Sequence, residues 1–147
     1  DGKPAGEWMY YYPNGALWAV VPYNDGMMHG VVRSFHSNGT AQAIKPYKSG
    51  KLHGERVITD HEGDLVNGSY TELLPFDSAM VLHTCVNGRP HGRITVMRGE
   101  RKVLEGQCIN GFAEGAFDVY SPYDGKLIYR DHYKNGKFKR SEYVSSP

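Results

Sequence analysis

Seven histidines and two cysteines are the side chains of this 147-residue chain best suited to hold a metal or attack a substrate. His29, His53 and His91 each stand directly before a glycine, in Met-His-Gly30, Leu-His-Gly54 and Pro-His-Gly92. To share one zinc ion, their ring nitrogens would each have to come within roughly 2.1 Å of it. Cys85 and Cys108 would form a disulfide only if their Cα atoms lay less than about 7 Å apart. Arg89, Arg93, Arg98, Arg101 and Lys102 lie close together in sequence and would suit an acidic protein patch or anionic lipid headgroups. Trp8, Tyr10, Tyr12 and Trp18 make the N-terminal stretch aromatic, and aromatic rings are the usual anchors of protein interfaces. The motifs that carry covalent or metal catalysis are missing: there is no Gly-x-Ser-x-Gly, no His-Glu-x-x-His, no Cys-x-x-Cys and no glycine-rich loop between a strand and a helix.

The elements that must position these residues are set by a repeat of 23 to 25 residues. From the first glycine of a unit, a second follows at offset 4 in five units: Gly6, Gly30, Gly54, Gly92 and Gly115. A third follows at offset 13 at Gly15, Gly39 and Gly63, with Gly99 and Gly125 close to that offset. The runs between glycines are rich in β-branched and aromatic residues, and Asn14-Gly15, Asn38-Gly39 and Asp124-Gly125 read as hairpin turns. Each unit is then one β-hairpin, with Gly-x-x-x-Gly as a wider turn to the next. The expected fold is all-β, an elongated, twisted antiparallel sheet of stacked hairpins without a central globular core. The units fall at about 1–24, 25–48, 49–70, a degenerate 71–86, 87–109, 110–134 and a C-terminal half-repeat at 135–147, all in one repeat domain over residues 1–147. The degenerate unit is expected to turn at Pro75 to Ser78 and to change the curvature of the array.

This ladder decides how the reactive residues are read. Equivalent positions in successive hairpins lie roughly 10 Å apart. The histidines are therefore expected to be local turn residues, and the cysteines two buried free thiols. Tyr23 and Tyr47 recur at one offset, which favours packing between hairpins. Trp8, Tyr10 and Tyr12 share one face of a strand and Met9 and Tyr11 the other, so some large rings must be exposed or in contact with a partner. A formal net charge of +1 argues against nucleic acid as a partner. The charge is uneven: residues 1–85 hold 6 basic and 9 acidic side chains, and residues 86–147 hold 11 and 7. No apolar run approaches the ~20 residues of a helical membrane span.

The run Asp1-Gly-Lys-Pro-Ala-Gly-Glu-Trp-Met-Tyr-Tyr-Tyr-Pro-Asn-Gly15, with Tyr23-Asn-Asp-Gly-Met-Met-His-Gly30, resembles the variant MORN repeat common in bacteria. The resemblance covers nearly the whole chain, with 71–85 as the departure. It implies a hairpin-stack scaffold used for protein–protein or phospholipid contact, and bacterial members are often antitoxin components.

The expectation is thus a non-enzymatic protein-binding module without cofactor or metal, an immunity or antitoxin-like protein that masks a partner toxin. The candidate contact residues are Trp8, Tyr10, Tyr12, Trp18, Arg89, Arg93, Arg98 and Arg101. The alternatives are a membrane-surface adaptor that binds anionic phospholipid and a structural spacer. The start at Asp1 implies a removed leader or a longer N-terminal part; a leader would point to the bacterial cell envelope.

Overall fold

The computed structural model describes residues 2–74 and 79–144. These residues form fifteen strands and no helix. The first seven are β1 (Gly6–Tyr11), β2 (Leu17–Asn24), β3 (Met27–Met28), β4 (Gly30–Phe35), β5 (Ala41–Lys48), β6 (Lys51–Leu52) and β7 (Val57–Ile58). The remainder are β8 (Gly68–Leu73), β9 (Met80–Val86), β10 (Arg89–Arg98), β11 (Arg101–Ile109), β12 (Phe112–Ala113), β13 (Gly115–Tyr120), β14 (Leu127–Lys134) and β15 (Lys137–Tyr143). All pairings are antiparallel. One sheet runs β1-β2-β4-β5-β6, with β3 on β2 and β7 on β5, and the other runs β15-β14-β13-β11-β10-β9-β8, with β12 on β11. The hairpin array is present, but it divides into two sheets within the third unit instead of continuing as one.

The turns are distributed differently from the sequence expectation. The tight two-residue turns are Asp25-Gly26, Ser49-Gly50, Asn87-Gly88, Asn110-Gly111 and Asn135-Gly136, where both residues have positive φ. Flanking pairs such as Asn24↔Met27 and Lys48↔Lys51 close each turn directly. That double left-handed geometry matches the twist of the strands it joins. Asn14-Gly15 and Asn38-Gly39 lie instead in longer loops, closed by Tyr12 N–H on Ala16 O at 2.8 Å and His36 N–H on Thr40 O at 2.8 Å. Only the glycine of each pair has positive φ, and the strands shift register beside it. The Asn side chain explains the difference, since Asn14 Oδ1 accepts from Ala16 N–H at 2.9 Å and builds a local turn of its own.

The break between sheets has a backbone cause. Residues 54–58, which rejoin the β5 edge at Val57 and Ile58, cross the ends of three hairpins of the second sheet. Gly54, Arg56 and Ile58 donate their N–H groups to the carbonyls of Gly136 (2.9 Å), Gly111 (2.8 Å) and Gly88 (2.5 Å). Each acceptor is the glycine of a tight turn. A Cβ on Gly111 would sit 2.7 Å from Arg56 O, and one on Gly88 would sit 2.8 Å from Ile58 O. Glycine is needed there for close approach as well as for φ.

Burial alternates cleanly along β9, where Val81, His83 and Cys85 are buried while Met80, Leu82, Thr84 and Val86 face solvent. The inward positions of the second sheet gather Val81, Ile94, Cys108, Ala113, Phe117 and Tyr133, with Leu52 of the first sheet packed on them. A side chain of this size contributes about 1.5–3 kcal/mol when fully buried. Smaller clusters hold the junction (Ala43, Ile58, Val66, Cys85) and the first sheet (Ala19, Val21, Val32). The array therefore encloses apolar clusters along its inner face. The β8–β9 hairpin is paired from Gly68↔Cys85 to Leu73↔Met80. Its expected turn at Pro75 to Ser78 lies outside the described residues.

Candidate partner-binding surfaces

The aromatic group at the N-terminus separates into two roles. Tyr12 stacks on Trp18 at 4.7 Å and 13°, and its hydroxyl donates to Phe35 O at 2.6 Å. His36 Nε2 reaches Thr59 O at 2.7 Å in the same way one unit later. Tyr12, stacked on Trp18, thus braces the neighbouring hairpin. Tyr10 packs with Tyr23 and Tyr47 on the inner cluster, and its hydroxyl lies 3.4 Å from that of Tyr23. Burial and then the Tyr10 contact push the Tyr23 phenol up to about 12. Trp8 meets Tyr23 edge-on at 5.7 Å and remains 46% exposed.

The other face of the first sheet carries residues that the candidate list omits. Met9 on β1, Val31 on β4 and Ile44 on β5 are about half exposed, and Tyr11 is more so. Met9, Val20, Arg33, Ile44 and Val57 form one row across the strands. Glu7 bridges to Arg33 at 3.5 Å within this face. The signal was legible as period-2 alternation, which already separates Met9 from Trp8 and Tyr10.

The arginines do not converge. Arg89 pairs with Glu55 at 3.3 Å beside the crossing segment. Arg93 pairs with Glu105 at 2.7 Å on the outer face of the second sheet, where Lys102 also holds Glu105 at 2.8 Å. Arg98 and Arg101 face each other at the far end of the β10–β11 hairpin. A ten-residue strand places that end roughly 30 Å from Arg89. Lys102 and Arg93, with their shared carboxylate, act on the Glu105 carboxyl and lower its pKa.

The histidine slot has a structural use. His29 Nδ1 accepts from Ser49 N–H at 3.1 Å, and His91 Nδ1 accepts from Asn110 N–H at 3.2 Å. Glu114 fills the same slot and accepts from Asn135 N–H at 2.7 Å. Each side chain thereby secures the left-handed residue of the next tight turn. His53 departs, pairing its backbone with Lys137. Among the described residues, Asp60, Glu62 and Asp64 place ligand atoms within 4.8 Å of one another. Asp60 already accepts from Glu62 N–H at 3.0 Å and Asp64 N–H at 2.9 Å.

A buried ionic group lies where the sheets meet, and sequence reasoning missed it. Lys45 on β5 and Glu72 on β8 form a fully buried ion pair between the two sheets. Arg56, also buried, stands in the crossing segment, and its Nε has no hydrogen-bond partner. His83 on β9 completes the group, with Nδ1 at 3.4 Å from Cys85 Sγ. Burial, reinforced by the Arg56 charge, lowers the His83 pKa to about 4, so its imidazole is neutral. Burial raises the Cys85 thiol to about 11, and Cys85 and Cys108 are both buried free thiols. Burial opposes ionisation of Glu72, but Lys45 and Arg56 outweigh it and hold the carboxyl below its ordinary range. The sequence signal was one of slots: Ala43-Ile-Lys45-Pro-Tyr47 repeats Ala19-Val-Val21-Pro-Tyr23, so Lys45 takes the fully inward place of Val21.

Beside this group is a cavity of about 480 Å³ over the inner face of the second sheet. Val96, Leu104, Phe117 and Tyr133 line its wall, with Lys51, Leu52 and Arg56 on the side of the first sheet. Lys51 Nζ contacts Asp131 at 2.7 Å and lies 5.0 Å from the Tyr129 ring centroid.

No curated protein matches the chain. Residues 5–25 and 28–49 match the family model of the MORN repeat variant, and they correspond to the β1–β2 and β4–β5 hairpins. MORN repeats commonly serve as protein- or membrane-binding modules. The first two hairpin units are thus similar to the variant MORN repeat, and hairpin units continue through the second sheet.

Proposed function

We propose that this chain is a non-enzymatic protein-binding module that covers a partner with the exposed face of its first sheet. The observation that carries the reading is the apolar face around Met9, Val31 and Ile44, held on a rigid sheet and bordered by the Glu7–Arg33 pair. Exposed apolar surface of this kind costs solubility and commonly marks a contact site. Tyr11, at the sheet edge and on the same strand face as Met9, is its aromatic anchor. The titratable groups with large shifts are buried structural partners, which supports binding over turnover. The finer reading is an immunity or antitoxin-like protein whose partner is a toxin made by the neighbouring gene.

The test is capture of that gene product by the full chain and by Ile44→Lys. A central contact contributes 2 kcal/mol or more, so the variant should weaken capture by roughly thirtyfold or more without changing its circular dichroism. Equal capture by both proteins would remove this face as the site. Binding to anionic vesicles at low salt, with no protein captured, would favour the membrane-surface reading instead.

A further inference from the structure

Arg56 brings a buried guanidinium to the cavity wall. It is 4% exposed, its Nε is without a partner, and it lines the cavity on the inner face of the second sheet. Glu72 is shared as a counter-charge by Lys45 and Arg56, and Lys51 is matched by Asp131. His83 is buried with Nε2 unpartnered and adds no negative charge. Among the described residues the junction therefore sets two buried cations, Lys45 and Arg56, against the single carboxylate of Glu72. A buried, unpaired charge is costly, and an anion placed beside it removes that cost.

The cavity states what else the anion must carry. Its walls are Val96, Leu104, Phe117, Val119 and Tyr133, which offer dispersion contact and few polar partners. About 480 Å³ falls in the range of small-ligand sites, roughly 300–1,000 Å³. Besides Arg56 the lining holds Arg98 and the Lys51–Asp131 pair, so an otherwise apolar chamber with a cationic rim selects a ligand with one anionic head and a hydrocarbon body.

We propose that this cavity binds a long-chain carboxylate, with the carboxylate on Arg56 and the chain along the inner face of the second sheet. The site is separate from the outer face of the first sheet, and it stands independently of the protein-docking reading.

Calorimetric titration of the full chain with myristate, decanoate and tetradecanol tests it. Myristate should bind one to one, and each methylene removed should weaken binding by about fourfold. Tetradecanol, with the same chain and no charge, should bind at least tenfold more weakly. Arg56→Gln should abolish the preference of myristate over tetradecanol. Should that variant fail to fold, Leu104→Trp supplies a second route: it fills the chamber, leaves Arg56 in place and should eliminate binding of both ligands. Ile44→Lys should bind myristate normally, so the two readings fail separately. The proposal is overturned if myristate gives no binding, if myristate and tetradecanol bind equally, if decanoate matches myristate, or if anionic vesicles bind while free myristate does not.

Discussion

His83 shows how one buried side chain makes stability depend on pH. In the folded chain its pKa lies at about 4, because burial and then the charge of Arg56 disfavour the imidazolium. Lys45, Glu72, Cys85 and the Tyr70 ring also face it. The unfolded chain takes up that proton near the ordinary value of about 6.5. Between these values the unfolded state binds more protons, so stability is full above about pH 6.5 and is lost as pH falls toward 4. We expect urea unfolding to show a decrease of about 2 kcal/mol between pH 7 and pH 5, above the carboxylate range. His83→Phe, which cannot titrate, should lose most of that dependence. A pH-independent unfolding free energy in the native protein over this range would contradict the buried neutral imidazole.

At the scale of elements, the turns were legible in glycine spacing, but their two kinds were not told apart. Gly39 and Gly111 both have positive φ, near 90°. A Cβ on Gly39 would meet nothing within 4 Å, whereas one on Gly111 would lie 2.7 Å from Arg56 O. Gly39→Ala should therefore cost only the left-handed strain, about 1–2 kcal/mol. Gly111→Ala should cost more, because the backbone of the crossing segment has to move and lose its hydrogen bond. Chemical denaturation of both variants measures the difference, and equal losses would show that the crossing segment is loosely held. Spacing reveals that a residue must be glycine; it carries no mark of which remote carbonyl comes close to it. Likewise the spacing places His29 and His91 beside turns, while the N–H that each ring accepts from, and the departure of His53, are tertiary facts.

At the scale of the molecule, the two sheets are joined by the crossing segment, by the Lys45–Glu72 pair, by Gln42 Nε2 donating to Tyr70 at 3.0 Å and by Lys51 on Asp131. These ties should make unfolding a single cooperative event. Trp8 and Trp18 both lie in the first sheet, so fluorescence reports that sheet while far-ultraviolet circular dichroism reports both. The two urea transitions should coincide. A fluorescence transition at lower urea than the dichroism would show that the first sheet unfolds independently.

What the amino-acid order determined by itself was local: hairpins, their approximate boundaries, inward and outward strand faces, and the glycine positions that left-handed turns demand. These depend on φ preferences and on period-2 alternation within a few neighbouring residues. Tertiary structure alone decided that the array divides at residues 54–58, that Arg89 and Arg98 lie far apart, and that Lys45, Arg56, Glu72 and His83 meet inside. Lys51 and Asp131 are separated by 80 positions, and no local periodicity encodes a contact of that range. It arises because three glycine carbonyls offer a path for the crossing segment, and that path carries Arg56 into the interior.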